Sequence, residues 1–109
     1  MSNLAEICLK EAGITNRPVV FRKVPSTTFA VTFDSVDNIN SSDLENDVRT
    51  HSITVELYEH SPDATSRPAF ESAMDSRGIK WERSDTTWLV DEQLYETIYT
   101  FDYYEKRRT

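Results

Sequence analysis

Glycine is nearly absent from this chain: 109 residues contain only Gly13 and Gly78. Two glycines cannot build a Gly-rich phosphate cradle, and no nucleophile elbow or HExxH motif is spelled anywhere. The single cysteine, Cys8, excludes an internal disulfide and a zinc site built of several cysteines. Apolar runs stop at three or four residues, far short of the roughly 20 needed to cross a bilayer as a helix, so no membrane partner is expected. The first residues lack the basic start and apolar stretch of a secretory signal, and intracellular synthesis is expected. Basic residues are also short: 12 Lys and Arg against 19 Asp and Glu leave a net charge of −7. Gripping a phosphate backbone depends on basic side chains that displace counterions, so this balance argues against it.

The two glycines stand in matching contexts, Glu11-Ala12-Gly13-Ile14 and Ser76-Arg77-Gly78-Ile79. Each follows a helical pattern and predicts a left-handed helix stop, with the isoleucine packing back on the last turn. The first helix is expected to start at Asn3 as N-cap, with Glu6 completing a capping box and Leu4, Ile7, Cys8 and Ala12 facing the core. The second has Pro68 in its first turn and an apolar face of Phe70, Ala73 and Met74.

The rest alternates. Pro18 to Val24 reads as a short strand and Pro25-Ser26-Thr27 as a turn. Thr28 to Val36 sets Phe29, Val31 and Phe33 against Ala30, Thr32 and Asp34, and Arg49 to His60 sets Ile53, Val55 and Leu57 against Thr54, Glu56 and Tyr58. Ile79 to Ser84 pairs with Trp81 inward, a turn leads to Trp88-Leu89-Val90, and Gln93 to Tyr104 forms the last strand. The expected fold is one α+β domain over residues 1–109, of order α-β-β-β-α-β-β. Two short helices cover an antiparallel sheet of four to five strands. A polar loop over Asp37 to Val48 is expected to form the tip of a long hairpin between the second and third strands.

Candidate chemistry is thin. His51 and His60 are nine apart on one strand and point to opposite faces, so they form no acid–base pair with each other. Cys8 reads as a small buried hydrophobe on a helix stripe. Asp43-Leu44-Glu45-Asn46-Asp47 begins like a calcium loop, but Val48 stands where glycine is needed and Thr54 where glutamate is. No catalytic residue, metal or cofactor is therefore expected. Charge placement says more. Residues 24–48 hold five acids and no Lys or Arg, and residues 84–105 hold six acids and again no base. Five aromatics fall between Tyr95 and Tyr104, and Tyr58 and Tyr104 lie opposite the more apolar faces of their strands, which makes them candidates for a subunit contact.

The helix ending in Glu11-Ala12-Gly13-Ile14, the run Ile53-Thr54-Val55-Glu56-Leu57-Tyr58, the Pro62-Asp63 turn, the helix ending at Gly78-Ile79, then Trp81-Glu82-Arg83-Ser84-Asp85 and Glu92-Gln93-Leu94-Tyr95-Glu96-Thr97-Ile98-Tyr99-Thr100-Phe101 follow a recognisable order. That order resembles the tail-terminator, or tail-completion, proteins of long-tailed bacteriophages over nearly the whole chain. The resemblance implies a structural virion protein of the neck, made in the host cytoplasm and not an enzyme. Its subunits assemble into a homo-oligomeric, six-membered ring that caps the major tail tube protein and meets the head-closure or connector protein. DNA passes through without being specifically bound. On this reading Asp37, Asp43, Glu45, Asp47, Tyr58, Tyr104 and Arg107 are candidates for the subunit or partner interface, and Asp85, Asp91 and Glu92 for the lumen. The alternatives are a head-closure or head–tail joining subunit of the same neck, and a small intracellular acidic adaptor or inhibitor domain.

Overall fold

The computed structural model describes residues 4–18, 25, 27–40, 46–61 and 65–108, with backbone alone at 18, 37–40, 46–48 and 106–108. Its elements are α1 (Leu4–Glu11), β1 (Thr15–Pro18), β2 (Phe29–Asn40), β3 (Asn46–Glu59), α2 (Ser66–Ser76), β4 (Glu82–Arg83), β5 (Thr87–Leu89) and β6 (Leu94–Arg108). Both helices end as their glycines dictate. Gly13 at φ 76° and Gly78 at φ 70° take the left-handed conformation that costs a residue with a Cβ about 1 kcal/mol or more. Around each, two hydrogen bonds close a Schellman motif: Gly13 N–H to the Lys10 carbonyl with Ile14 N–H to Leu9, and Gly78 N–H to Asp75 with Ile79 N–H to Met74. Ile14 is then buried and Ile79 packs on the core edge, so each stop also sets the next segment's direction.

The six strands run in the order β1-β2-β3-β6-β4, with β5 also on β6. β3 runs antiparallel to both β2 and β6, and β1 joins β2 in parallel, so the sheet is mixed and six-stranded rather than the expected antiparallel sheet of four to five strands. A strand begins at Thr15, ahead of the expected Pro18, and the rest of the expected strand, residues 19–24, lies outside the described residues. So do Asn3, Ser26 and the Pro62-Asp63 turn. The segment beyond Lys80 splits into β4 and β5, which lie end to end along the outer edge of β6.

Two further expectations are corrected. In α1 the buried stripe is Ala5, Cys8 and Leu9, with Leu4 and Ala12 at its margin, while Ile7 is 40 % exposed. Positions 5, 8, 9 and 12 satisfy the 3.6-residue period as well as 4, 7, 8 and 12, and the small Ala5 lets the helix approach the sheet closely. Second, Asp37–Val48 is not a loop: the ladder continues through Asn40↔Asp47, and only residues 41–45 separate the strands. Antiparallel strands with water on a face accept polar side chains, and without Gly or Pro nothing interrupts the pairing.

Register stacks the helix-facing residues in cross-strand rows: Ala30, Leu57 and Thr97; Thr32, Val55 and Tyr99; Asp34, Ile53 and Phe101; Val36, His51 and Tyr103. α1 packs on α2, β1 and β2 above them. Tyr99 is the largest fully buried side chain. Its ring meets Phe70 edge-on at 5.0 Å and Trp81 at 5.7 Å, and its hydroxyl donates to Glu71 Oε2 at 2.7 Å. Burial, then the Glu71 carboxylate, raises the phenol pKa. Arg83 on β4 donates to the same Glu71 oxygen at 2.7 Å, and Trp81 Nε1 donates to Asp75 at 2.9 Å, so α2 is stitched to the β4–β6 edge. Arg77 pairs with Glu11 and joins the ends of the two helices.

Among the described residues one position other than glycine has a positive φ. Gln93, at the β5–β6 turn, has φ 55°, and its N–H donates to the Leu89 carbonyl at 2.8 Å. Gln93→Gly is expected to raise stability by about 0.5–1 kcal/mol, because relief of the left-handed strain exceeds the added chain entropy; a higher urea midpoint checks this.

Candidate functional site

The described pairs of β1 on β2 reach Thr32 and those of β4 on β6 reach Thr100, and β2, β3 and β6 run on beyond both. Past those points the three strands form an arm of residues 33–40, 46–54 and 101–108. The molecule measures 50 × 28 × 23 Å, and its Cα radius of gyration of 15.5 Å exceeds the ~13 Å of a compact chain this long.

No described helix covers the second sheet face. Its rows are Phe29, Tyr58 and Glu96; Val31, Glu56 and Ile98; Phe33, Thr54 and Thr100; Ser35, Ser52 and Asp102; and Asp37, Thr50 and Tyr104. The inner rows are already satisfied. Phe29 and Val31 are buried, Tyr58 stacks on Phe29 at 5.1 Å, and the Tyr58 hydroxyl donates to Glu56 Oε1 at 2.8 Å. Burial and the carboxylates of Glu56 and Glu96 push that phenol's pKa up. The outer rows differ. Phe33 is 38 % and Tyr104 71 % exposed, and between them lie hydroxyl side chains and Asp102.

On the helix side, the arm's base holds His51. Its ring stacks on Tyr103 (4.4 Å between centroids, 6° between planes). Nδ1 lies 3.0 Å from both Asp34 carboxylate oxygens on β2, and Nε2 lies 3.3 Å from Glu105 Oε1 on β6. Burial pulls the imidazole pKa down, but the hydrogen bonds and charges of Asp34 and Glu105 outweigh it and hold the pKa above the ordinary value. When both ring nitrogens carry protons and donate to these carboxylates, His51 has no lone pair to offer as a general base. The other candidates for chemistry lie apart. His60 Nε2–H donates to the Pro25 carbonyl at 2.9 Å. Cys8 is fully buried, and burial raises its thiol pKa against the lowering influence of Arg77. Among the described residues no group of three His, Cys, Asp or Glu side chains is placed to hold a metal, and no described helix is long and apolar enough to cross a membrane.

The sequence-chosen residues therefore separate. Asp43 and Glu45 lie outside the described residues, and Asp37, Asp47 and Arg107 are placed by backbone alone in the arm's strands. Tyr104 is exposed on the open face, as an interface residue requires; Tyr58 is half-buried and occupied by Phe29 and Glu56. Asp85 is exposed on the β4–β5 connection, and Asp91 and Glu92 on the β5–β6 turn. Leu94 to Arg108 spans about 45 Å at ~3.3 Å per residue, so the β5–β6 turn and the arm's end lie at opposite ends of the molecule. Sequence reasoning missed the Asp34–His51–Glu105 group, because only the register of three strands unites residues 17 and 54 apart. It also missed Glu59, whose side chain is fully buried with Arg67 Nε 3.3 Å from its Oε1. No protein-family model matches the chain, and no curated protein matches it in sequence.

Proposed function

We propose that the chain is a structural subunit of the bacteriophage neck, which caps the tail tube as a homo-oligomeric ring, six-membered by the resemblance of its sequence, and joins it to the head connector. The observation that carries the reading is the arm's open face. Phe33 and Tyr104 stand exposed there among Ser35, Ser52, Thr54 and Thr100, and aromatics over small side chains let a second protein surface approach closely. The acids at the opposite end, Asp85, Asp91 and Glu92, would repel a DNA backbone sliding past, which suits a channel wall. Head and tail partners would then meet separate ends of an elongated subunit.

The test is assembly itself. Light scattering coupled to size exclusion, and negative-stain imaging with purified tail tubes, should show rings seated on tube ends; a strict monomer that leaves tubes uncapped would overturn the proposal. Phe33→Ser with Tyr104→Ser is expected to weaken subunit association at least ~10-fold, since hot-spot aromatics each contribute about 2 kcal/mol. The melting temperature of the unassembled subunit should move by no more than a few degrees. An association constant unaffected by the double change would place the contact elsewhere.

A further inference from the structure

We propose that His51 is a pH-operated clasp that sets the rigidity of the three-stranded arm, closed when its ring carries both protons and open when it has lost one. The central strand of the arm supplies the imidazole, and each flanking strand supplies one carboxylate. Asp34 on β2 is 3.0 Å from Nδ1, and Glu105 on β6 is 3.3 Å from Nε2. One cation thus ties both outer strands to the middle one at the row Val36, His51 and Tyr103, beyond the described pairs of β1 and β4.

In the imidazolium both ring N–H groups donate to carboxylates, and such charge-assisted bonds are about twice as strong as neutral ones. A neutral ring keeps one proton, so its bare nitrogen faces a carboxylate oxygen and that contact turns repulsive. Among the described residues the ionisable groups around the ring are few. They are Asp34 on β2, Tyr103 and Glu105 on β6, Arg49 two residues away on the same face of β3, and Glu6 of α1, which acts on Tyr103. Burial raises the Tyr103 phenol pKa further, so it stays protonated while His51 titrates. A group whose folded pKa is raised stabilises fully below its unfolded value, about 6.5 for histidine, and loses that contribution as pH climbs through the folded pKa. The arm is therefore tightest in mild acid and loosens toward alkaline pH, whether or not the subunit assembles.

Amide exchange, corrected for intrinsic rates, reads this in the free protein. Between pH 6 and 9, protection at Phe101 to Glu105 relative to Thr97 to Tyr99 is expected to fall ~10-fold for each unit by which the His51 pKa is raised. His60→Gln should keep the fall, and His51→Gln should flatten it. An unchanged ratio in the natural sequence, or an equal fall in His51→Gln, would overturn the clasp. The ring protons of the unmodified protein give an independent reading: a His51 titration midpoint above about 6.5 is required, and one at or below it rejects the proposal.

Discussion

Tyr99→Ala is expected to cost about 4 kcal/mol of folding stability, read as a lower urea midpoint at unchanged slope. Removing a fully buried aromatic ring typically costs about 3–5 kcal/mol, from lost transfer energy and the cavity left behind. Here the ring is the meeting point of Phe70 from α2, Trp81 from the β4 approach and Val55 and Thr32 in its row. A domain of this size is stable by about 5–15 kcal/mol, so the variant retains at best a modest margin. Tyr99→Phe separates the parts. It keeps the edge-on contacts and drops only the hydroxyl bond to Glu71, which Arg83 still holds, and about 1 kcal/mol is expected. Equal costs for the two variants would contradict the packing role assigned to the ring.

The second large effect is expected at the ion pair beneath α2. Glu59 is fully buried at the end of β3, and Arg67 in the first turn of α2 approaches it, itself 26 % exposed. Breaking a buried pair costs about 3–5 kcal/mol, because the remaining charge is left in a poor solvent. Arg67→Met should fall near the lower end, about 3 kcal/mol, since water reaches part of the arginine. Adding Glu59→Leu should recover most of that loss, as apolar replacements of buried pairs are often neutral or better. A double-mutant cycle with no coupling would show that Glu59 is held by other groups.

These two centres illustrate what was legible in the residues and what was not. The face of α2, with Phe70, Ala73 and Met74, and both helix stops follow from period and glycine placement alone. So does the alternation that buries Ile53, Val55 and Leu57 on β3 and Thr97, Tyr99 and Phe101 on β6. Local patterning fails where two solutions share a period: α1 can bury Ile7 or Leu9, and only the approach of Ala5 to the sheet decides. It fails again at Asp37 to Val48, where polar composition reads as loop although a solvated ladder tolerates it. The candidate site was hardest. Tyr104 could be chosen from the parity of β6, but Tyr58 has the same parity on β3 and is occupied by Phe29, a neighbour that only register reveals. The same holds for Asp34, His51 and Glu105.

The three long strands also impose an order of assembly. β2 and β3 close from their hairpin end, where Asn40 and Asp47 are seven residues apart, toward Phe29↔Tyr58, 29 apart. β3 and β6 run the other way: Glu59 and Tyr95 are 36 apart, but Asn46 and Arg108 are 62 apart, so the shorter loop closes first and pairing advances toward the arm. The two ladders share β3 but zip along it in opposite directions. The pairs of β6 beside the hairpin end are thus the last to form on one side of a strand whose other side formed first. His51 sits in that late stretch, so its bond to Asp34 can be made early in folding and its bond to Glu105 completes the sheet.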